Sequence, residues 1–453
     1  MKTSRAGTIA LGVILAISLF LHLYRLSYPA RPVFDEAHFA TYAADYIKGQ
    51  VFFDIHPPLG KLIYAAVIPL AHPAPLCNTD FVSFTHSPTG TVYFATNIPY
   101  GSFPYVALRL VSVFFGLALI AAFYFFLRSI GVSEAGALLG AFFAAFENAL
   151  LLETKLILMN GMYLTFGFAA LAAWFGTWPR GQGQRAILAG FLFALSLGVK
   201  LTGIVFLGPV VASVIPGARK IFSTDPATRR PRGDIKKFLA TAIFVFISIS
   251  FLNFLFFSPH DILAFAQSMG LKLPVPHNAR ATDLLAYAAT TILPWTGYLI
   301  GGAQIQGSPW YFWPFMRGAM NYYLAPANVG NLVLTGNPII WYGSTLAVLI
   351  GIILLIRRLI RKSPAPYAPL SILLAGYLFS LLPYFTFVQR GTFLYHYFPA
   401  LLFGIGLLAY LLSKSLKWNA ITELSPRQWL LAGIIAAVVL SGFFLTAPLT
   451  YGL

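Results

Sequence analysis

The stretch from Phe34 to Lys61 concentrates most of the side chains in this sequence that could do chemistry. It reads FDEAHFATYAADYIKGQVFFDIHPPLGK and holds four acids, two histidines and two lysines in 28 residues, whereas charged residues make up 9% of the chain. A carboxylate in such a cluster can act as a general base toward a hydroxyl within hydrogen-bond distance. Asp35 and Glu36 are the first candidates for this role, although helix-capping acids have the same pattern.

The second half of this stretch combines groups that suit an anion. Asp54 and His56 precede or adjoin a Pro-Pro pair, and Lys61 follows one helical turn later. Two prolines fix the start of a helix, and the first N–H groups of that helix can bind a phosphate together with the Lys61 ammonium. Alternatively, Lys61 only extends to lipid headgroups at a membrane surface.

Two further candidate regions lie far away in the sequence. Arg109 falls inside the outer end of an apolar segment, where a charge is costly and where a guanidinium suits bidentate phosphate binding. Arg390, Tyr395 and His396 belong to the segment RGTFLYHYFPA. Its aromatic residues are equally typical of a membrane-interface belt, but the nearby arginine and histidine favour a contribution to a site.

Metal binding is only weakly indicated. No spacing of His, Cys, Asp and Glu resembles a tight metal site. Asp54, His56 and His38 could together hold an ion weakly, which leaves a divalent metal as an open alternative. We expect no cofactor to be required. Cys77 is the only cysteine, so the chain cannot form an internal disulfide,.

The composition indicates a polytopic membrane protein. Hydrophobic residues make up 58% of the chain, and the mean hydropathy is +0.76. Apolar runs of about 18 or more residues recur, as bilayer-spanning helices require. The net charge of +17 does not by itself indicate nucleic-acid binding, because the position of the charges matters more than their sum in a membrane protein,.

We predict eleven membrane spans, near 7–24, 106–127, 135–151, 157–177, 185–198, 201–216, 238–257, 338–356, 367–385, 393–412 and 428–446. A cytoplasmic N-terminus places 19 of the 30 Lys and Arg residues inside, which agrees with the positive-inside rule,. Nine of the thirteen acids and all eight histidines then lie on the outer side. Titratable chemistry is therefore predicted on the non-cytoplasmic face, with the C-terminus outside.

Two outer loops, about 25–105 and 258–337, hold most of these groups. We expect no soluble domain, so the whole chain 1–453 forms one integral-membrane domain. The segment 284–302 is apolar, but treating it as a span would place a basic cluster outside. We therefore predict that it does not cross the membrane.

The first outer loop should contain two helices that do not cross the membrane. Asp35 is a plausible N-cap for a helix over 36–48, which Gly49 would end. A second helix should begin at His56 and run to about Leu70. We expect the first helix to lie in the interface plane and the second to dip into the outer leaflet or to pack on the bundle.

With these segments assembled, the chain resembles the protein O-mannosyltransferase (PMT) family. The matching segments occur in family order and are FDEAHF…YIKGQVFFDIHPPLGKL, the arginine of ALRL, SPWYFWP, GNPIIWY and RGTFLYHYFPA. The resemblance implies an all-α polytopic membrane protein with the GT-C glycosyltransferase fold and eleven spans. It also implies transfer of mannose from a polyprenyl-phosphate donor to Ser or Thr hydroxyls of exported proteins, with inversion at the anomeric carbon.

The resemblance also assigns roles to the candidate residues. Asp35 becomes the base, and Glu36 beside it supports the geometry of the site. Arg109 falls on an arginine near the lipid phosphate, and three further residues are expected to line the same donor pocket: Lys61, Arg390 and His396. Asp54, His56 and Tyr395 are expected to support them.

Two departures from the family pattern bear on these expectations. Eukaryotic members carry a soluble MIR domain in the second large loop, and the loop at 258–337 is too short to contain one. We therefore expect a bacterial or archaeal member in the cytoplasmic membrane, with its site on the external face. A family Asp is replaced by Asn160, which leaves any role of that acid open.

Two other functions fit parts of the sequence. A related polyprenyl-phosphate-sugar transferase, similar to the aminoarabinose transferases, would use another sugar and a lipid or glycan acceptor. A transporter would carry charges near the bilayer midplane and internal repeats, and the sequence has neither. The expected partners are a polyprenyl-phosphate sugar, a Ser/Thr-containing protein or peptide and the lipid bilayer, with no nucleic acid.

Overall fold

The computed structural model describes residues 4–52, 54–72, 74–76, 78–87, 90–95, 98–176, 181–214, 234–258, 261, 307–325, 330–361, 368–386, 388 and 391–453. The segment 284–302 and Arg390 lie outside these residues.

Fourteen α-helices form most of the structure within the described residues. They are α1 (Arg5–Leu23), α2 (Glu36–Lys48), α3 (Leu59–Ala71), α4 (Tyr105–Ser129), α5 (Glu134–Ala145), α6 (Asn148–Glu153), α7 (Asn160–Phe175), α8 (Gln182–Val199), α9 (Leu207–Val214), α10 (Ile235–Ser250), α11 (Pro338–Ile360), α12 (Ala368–Thr386), α13 (Phe398–Ser415) and α14 (Pro426–Tyr451). Short 3₁₀ helices occupy Leu201–Phe206, Phe251–Leu255, Trp310–Phe315, Leu394–Tyr397 and Ile421–Glu423. The prediction of a helical fold is confirmed.

Each of the eleven predicted spans falls on one or two of these helices. Among the described residues, seven helical segments are long and apolar enough to cross a bilayer: Arg5–Leu23, Tyr105–Ser129, Ile235–Asn253, Pro338–Ile360, Pro369–Thr386, Leu394–Ser415 and Pro426–Tyr451. Shorter apolar helices lie at Leu59–Ala71, Glu134–Ala145 and Leu201–Val214. The number of spans therefore stays a prediction.

The long helices differ in how much of their surface other helices cover. In the segment Leu394–Ser415, 78% of the most apolar window is buried, whereas the value is 17% for Ile235–Asn253. The uncovered surface is apolar and includes Phe20, Phe244 and Phe444, each more than 60% exposed. A helix that is hydrophobic on every face needs an apolar surrounding, which lipid provides for the peripheral helices.

The two outer helices differ slightly from the prediction. Helix α2 has the predicted bounds, and Gly49 ends it in the left-handed conformation with φ of +67°. Ten of its thirteen residues are buried, so α2 packs into the protein on most sides. Helix α3 begins at Leu59 and not at His56, because each residue before a proline is pushed toward extended backbone,.

Two small antiparallel sheets were not predicted. Strands β1 (Val82–Ser87) and β2 (Gly90–Ala95) pair with Val82 opposite Ala95. Strands β3 (Met320–Tyr323) and β4 (Leu332–Leu334) pair with Met320 opposite Leu334 and contain an irregularity. The second sheet places Tyr322 against the first outer loop, so it helps to form the candidate site.

Asn337 joins the start of α11 to two other parts of the bundle. Its buried side chain accepts hydrogen bonds from the N–H groups of Ile339 and Ile340. Its Nδ2 donates to the carbonyl oxygens of Phe146 and Val439, at 3.1 and 3.0 Å. Asn337 therefore acts both as a helix cap and as a link from α11 to α5 and α14.

Replacing Asn337 with alanine should destabilise the bundle, because two buried carbonyl oxygens and the first N–H groups of α11 lose a partner. We expect a loss of about 2–4 kcal/mol, measured as a lower midpoint of thermal unfolding in a fixed detergent. Ser441→Ala is the matched control, since Ser441 is exposed on α14 and donates only to Val438 of its own helix. Equal midpoints for the two variants would contradict this account.

Candidate active site

Asp35 lies at the start of α2 without capping it. Its backbone is helical, with φ of −69° and ψ of −6°, and its side chain accepts no hydrogen bond from the N-terminal N–H groups of α2. The predicted side-chain cap is therefore wrong. The Asp35 carboxylate is half-buried and does not bond to the first N–H groups of α2.

The residue before Asp35 adopts an uncommon backbone conformation. Phe34 has φ of +51°, which is uncommon for a residue with a side chain,. Its ring stacks on Tyr322 with centroids 4.5 Å apart and lies 5.8 Å from the ring of Tyr395. Local strain of this kind persists where the surroundings enforce it and is common at functional sites. The aromatic contacts thus fix the backbone that presents Asp35.

Glu36, the next residue, has a different environment from Asp35. Its side chain is fully buried and forms a two-pronged ion pair with Arg109, with Nε to Oε1 at 2.9 Å and Nη2 to Oε2 at 2.7 Å. The two carboxylate oxygens also accept hydrogen bonds from the N–H groups of Val33 and Ile157. Glu36 therefore joins α2 to α4 and to the segment before α7.

Arg109 is completely enclosed by protein acceptors. Its Nη1 donates to the carbonyl oxygens of Leu26 and Tyr28, at 2.9 and 3.2 Å, and its guanidinium carbon lies 5.0 Å from the ring centroid of Tyr105. The side chain has no exposed surface. The predicted phosphate contact of Arg109 stays a prediction, and in this structure its charge is balanced by Glu36.

Lys61 also forms a buried ion pair, with Asp54. Its buried ammonium donates to Asp54 Oδ2 and to the carbonyl oxygen of His56, both at 2.6 Å. Burial by itself raises the pKa of Asp54, but the charges of Lys61 and His56 and the hydrogen bonds to Asp54 together outweigh burial and hold that pKa below its usual range. The ring of His56 also lies 6.1 Å from the ring of Phe39 of α2. The Lys61–Asp54 ion pair and this ring contact together hold the loop between α2 and α3.

A second acid lies close to Asp35. Glu153 is buried, and it accepts hydrogen bonds from the hydroxyl of Tyr322 at 2.7 Å and from Nδ2 of Asn160 at 2.5 Å. Burial mainly, with a smaller contribution from the Asp35 charge, raises the pKa of Glu153 to about 7. The Asn160 side chain thus donates a hydrogen bond to Glu153, whereas a carboxylate at position 160 would repel Glu153.

Lys200 completes this group and was missed in the sequence. Its Nζ donates to Oδ1 of Asn160 at 2.9 Å and lies 5.1 Å from the ring centroid of Tyr395. The signal that could have found it is a lone charge in the short turn between two apolar segments, GVKLTG. Charges at such positions usually face a cavity or a partner.

The segments containing Tyr395 and Ser308 form one wall of the site. The rings of Tyr395 and His396 stack with centroids 4.3 Å apart, and His396 also stacks on Trp313 at 6.1 Å. Ser308 and Thr392 are joined by two hydrogen bonds, from Ser308 N at 2.7 Å and from Thr392 Oγ1 at 2.9 Å. Nδ1 of His396 lies 3.0 Å from the backbone N of Phe393.

The residues of the candidate site fall into three groups, and His396 adjoins the first by stacking on Tyr395. A cluster of seven residues, the Asp35 cluster, contains Phe34, Asp35, Glu153, Asn160, Lys200, Tyr322 and Tyr395. Glu36 and Arg109 form the adjoining ion pair, and Asp54, His56 and Lys61 form the other. Among the described residues, no group of three or more His, Cys, Asp or Glu side chains is arranged to hold a metal ion.

Two models of sequence families match this chain. The one described as dolichyl-phosphate-mannose-protein mannosyltransferase matches residues 12–265, and the one described as the C-terminal four-span region of protein O-mannosyltransferase matches residues 301–453. Together they cover nearly the whole chain, and both contain segments that form the site.

Curated relatives carry corresponding names. The chain is 30% identical over 151 residues to dolichyl-phosphate-mannose–protein mannosyltransferase 4 of Candida albicans, a match that covers 33% of this chain and 18% of that protein. It is 33% identical over 190 residues to protein O-mannosyltransferase 1 of Drosophila pseudoobscura, covering 41% and 19%. The chain thus matches less than a fifth of the length of these relatives.

Solved structures show the fold. The Saccharomyces cerevisiae protein O-mannosyltransferase Pmt1-Pmt2 complex bound to the sugar donor contains a chain that matches with a TM-score of 0.77 at 15% identity, covering 100% of this chain and 91% of that one. The archaeal oligosaccharyltransferase AglB from Archaeoglobus fulgidus matches with a TM-score of 0.53 at 14% identity, covering 99% and 56%. The fold is that of the GT-C glycosyltransferases, as predicted.

These matches also agree with the seven long apolar helices, so the chain is an integral membrane protein. The first family model alone covers more than half of the sequence. This chain belongs to the family of dolichyl-phosphate-mannose-protein mannosyltransferases.

Proposed function

We propose that this protein transfers mannose from a polyprenyl-phosphate mannose to Ser or Thr hydroxyl groups of proteins. Membership of the mannosyltransferase family supports the reaction class. The observation that carries the proposal is the position of Asp35, a half-buried carboxylate at the start of α2 that lies close to the buried Glu153 and follows the aromatic contacts of Phe34.

In the proposed reaction, Asp35 takes the proton of the acceptor hydroxyl as its oxygen attacks the anomeric carbon of mannose. The bond from that carbon to the phosphate oxygen breaks on the opposite face, and the electron pair leaves with the polyprenyl phosphate. The configuration at the anomeric carbon is inverted. Negative charge therefore moves from the acceptor side to the phosphate, where a fixed cation stabilises the transition state.

Lys200 supports the phosphate side of this proposal. Its ammonium belongs to the Asp35 cluster and contacts the neutral Asn160, with the Tyr395 ring 5.1 Å away. Lys61 and Arg109 lie outside this cluster, each in an ion pair of its own. We therefore propose Lys200 as a principal phosphate-binding cation, with Arg390 and His396 on the same side and with Lys61 and Arg109 as positioning residues.

We further propose that the site faces the exterior of a prokaryotic cytoplasmic membrane. The distribution of basic residues supports a cytoplasmic N-terminus and an external C-terminus,. The same orientation places Asp35, Glu153 and Lys200 on one side of the membrane. A lipid-linked donor in the bilayer and an exported protein acceptor could both reach this side, and the chain 1–453 would act as one membrane domain.

Asp35→Asn should abolish transfer and leave the fold intact. The substitution keeps the side-chain size but removes the base, so we expect the rate to fall by about 10²–10⁴-fold. The assay uses purified protein, polyprenyl-phosphate mannose and a threonine-rich peptide, with products measured by mass spectrometry. Asp80→Asn is the control, because Asp80 is an exposed acid of the same outer loop, 4.0 Å from Lys48. Full activity of the Asp35 variant would exclude the base assignment.

The ion pair between Glu36 and Arg109 should contribute mainly to stability and site geometry. Arg109→Met leaves a buried carboxylate without its partner, and Glu36→Gln leaves a buried guanidinium, so each should cost about 3–5 kcal/mol. The double variant Glu36→Leu/Arg109→Met should unfold at a higher temperature than either single variant. An Arg109→Met protein with normal stability and only a raised KM for the donor would instead support direct phosphate binding.

Lys200→Met should weaken use of the donor more than use of the acceptor. Loss of a charge-assisted contact to phosphate is expected to lower kcat/KM for the donor by about 10²-fold. Lys48→Met is the control, because Lys48 is a surface lysine of α2 outside the Asp35 cluster. Donor kinetics of the Lys200 variant that equal those of the control would remove Lys200 from the phosphate site.

A further inference from the structure

A small cavity lies between the end of α1, the segment after α6 and the end of α14. Two cations, Arg25 and Lys155, line it together with Tyr28, Thr450 and Tyr451. Its enclosed volume is about 10 Å³, and the volume with its open mouth included is about 230 Å³. The cavity shares no lining residue with the Asp35 cluster.

Among the residues that the structure describes, neither cation of this cavity has a carboxylate partner. The ammonium of Lys155 donates to the carbonyl oxygen of Tyr24 at 2.5 Å and lies 4.0 Å from the ring centroid of Tyr451. Lys155 forms no ion pair with the nearby Glu153, which bonds to Tyr322 and Asn160. An ammonium has three N–H donors, so Lys155 can also donate a hydrogen bond to a bound ligand.

Arg25, like Lys155, contacts a carbonyl oxygen and an aromatic ring. Its Nη1 donates to the carbonyl oxygen of Gly452 at 2.5 Å, and its guanidinium carbon lies 4.2 Å from the ring centroid of Tyr28. Arg25 adopts a φ of +53°, an uncommon conformation for a residue with a side chain,. A guanidinium has five N–H donors, and within the described residues Arg25 forms no ion pair with an acid,.

The electrostatic surroundings favour an anion. Lys155 is only 5% exposed, and burial of a charge without a counter-charge is costly,. Burial, then the charges of Arg109 and Arg25, lower the pKa of Lys155 to about 6. The charge of Arg109 is already balanced by Glu36, so an added anion would be shared by Lys155 and Arg25.

We propose that this cavity is a binding site for an anion of the phosphate class, with Lys155 and Arg25 as its ligands. The enclosed volume suits about one oxygen atom, so one phosphate oxygen enters between the two cations and the rest of the group lies at the mouth,. The source of the phosphate is either a free ion or a phospholipid headgroup. The proposal does not depend on mannosyl transfer.

The test measures thermal unfolding of the full chain in detergent while inorganic phosphate replaces gluconate at constant ionic strength. Phosphate should raise the midpoint of the wild-type protein by at least about 2 °C, because a ligand that binds only the folded state stabilises it. Lys155→Met and Arg25→Gln should each remove this shift. Arg317→Gln, which removes an exposed arginine, should keep it.

An equal phosphate-specific shift in the Lys155 variant would overturn the proposal, and no shift in the wild-type protein would exclude the free ion as the ligand. The lipid source is tested in phosphatidylcholine nanodiscs with and without a minor fraction of phosphatidic acid. Retention of phosphatidic acid that depends on Lys155, measured by native mass spectrometry, would identify a headgroup as the ligand. A shift with inorganic phosphate alone would identify the free ion, and neither response would exclude the site.

Discussion

A fully buried ion pair between Glu36 and Arg109 connects the first outer loop to the membrane helices. Four hydrogen bonds to Glu36 and two further bonds from Arg109 join α2, α4, the turn after α1 and the segment before α7. Removing two charges from water costs several kcal/mol per ion, and this cost is offset only when every polar atom is satisfied. Here both carboxylate oxygens and all three guanidinium nitrogens have hydrogen-bond partners, so the pair holds these segments together.

This arrangement gives adjacent acids different roles. Glu36 points into the protein and holds the backbone, whereas Asp35 is released from helix capping by its helical φ and ψ. Phe34 precedes both acids, and its backbone, constrained at positive φ by stacking on Tyr322, sets the direction in which the chain enters them. Two adjacent carboxylates thus acquire different surroundings, which fits the proposed separation of a structural acid, Glu36, from a base, Asp35.

The sequence predicted the helical fold and the long apolar helices well, because hydrophobic length is a local property. Helix α2 was placed with correct bounds by its Gly49 terminator. Contacts between distant segments were not predictable in this way. Glu36 with Arg109, and Glu153 with Tyr322, depend on how helices and the β3–β4 sheet pack across 73 and 169 residues.

Lys200 is a residue of the candidate site that the sequence did not predict. A single lysine between apolar segments is indistinguishable in sequence from a residue that extends to headgroups. Its hydrogen bond to Asn160, and the bond from Asn160 to Glu153, give it a place in the Asp35 cluster only in the folded chain. The substitution of a family acid by Asn160 fits this network, since an amide can donate to Glu153 and accept from Lys200 at once.

The most direct test of this account is an experimental structure of the protein with a non-transferable analogue of polyprenyl-phosphate mannose. The account predicts that the phosphate lies within hydrogen-bond distance of Lys200 Nζ, with the anomeric carbon facing Asp35 and the Glu36–Arg109 pair unbroken. A phosphate bound by Arg109 after separation from Glu36, or a sugar placed away from Asp35, would contradict it.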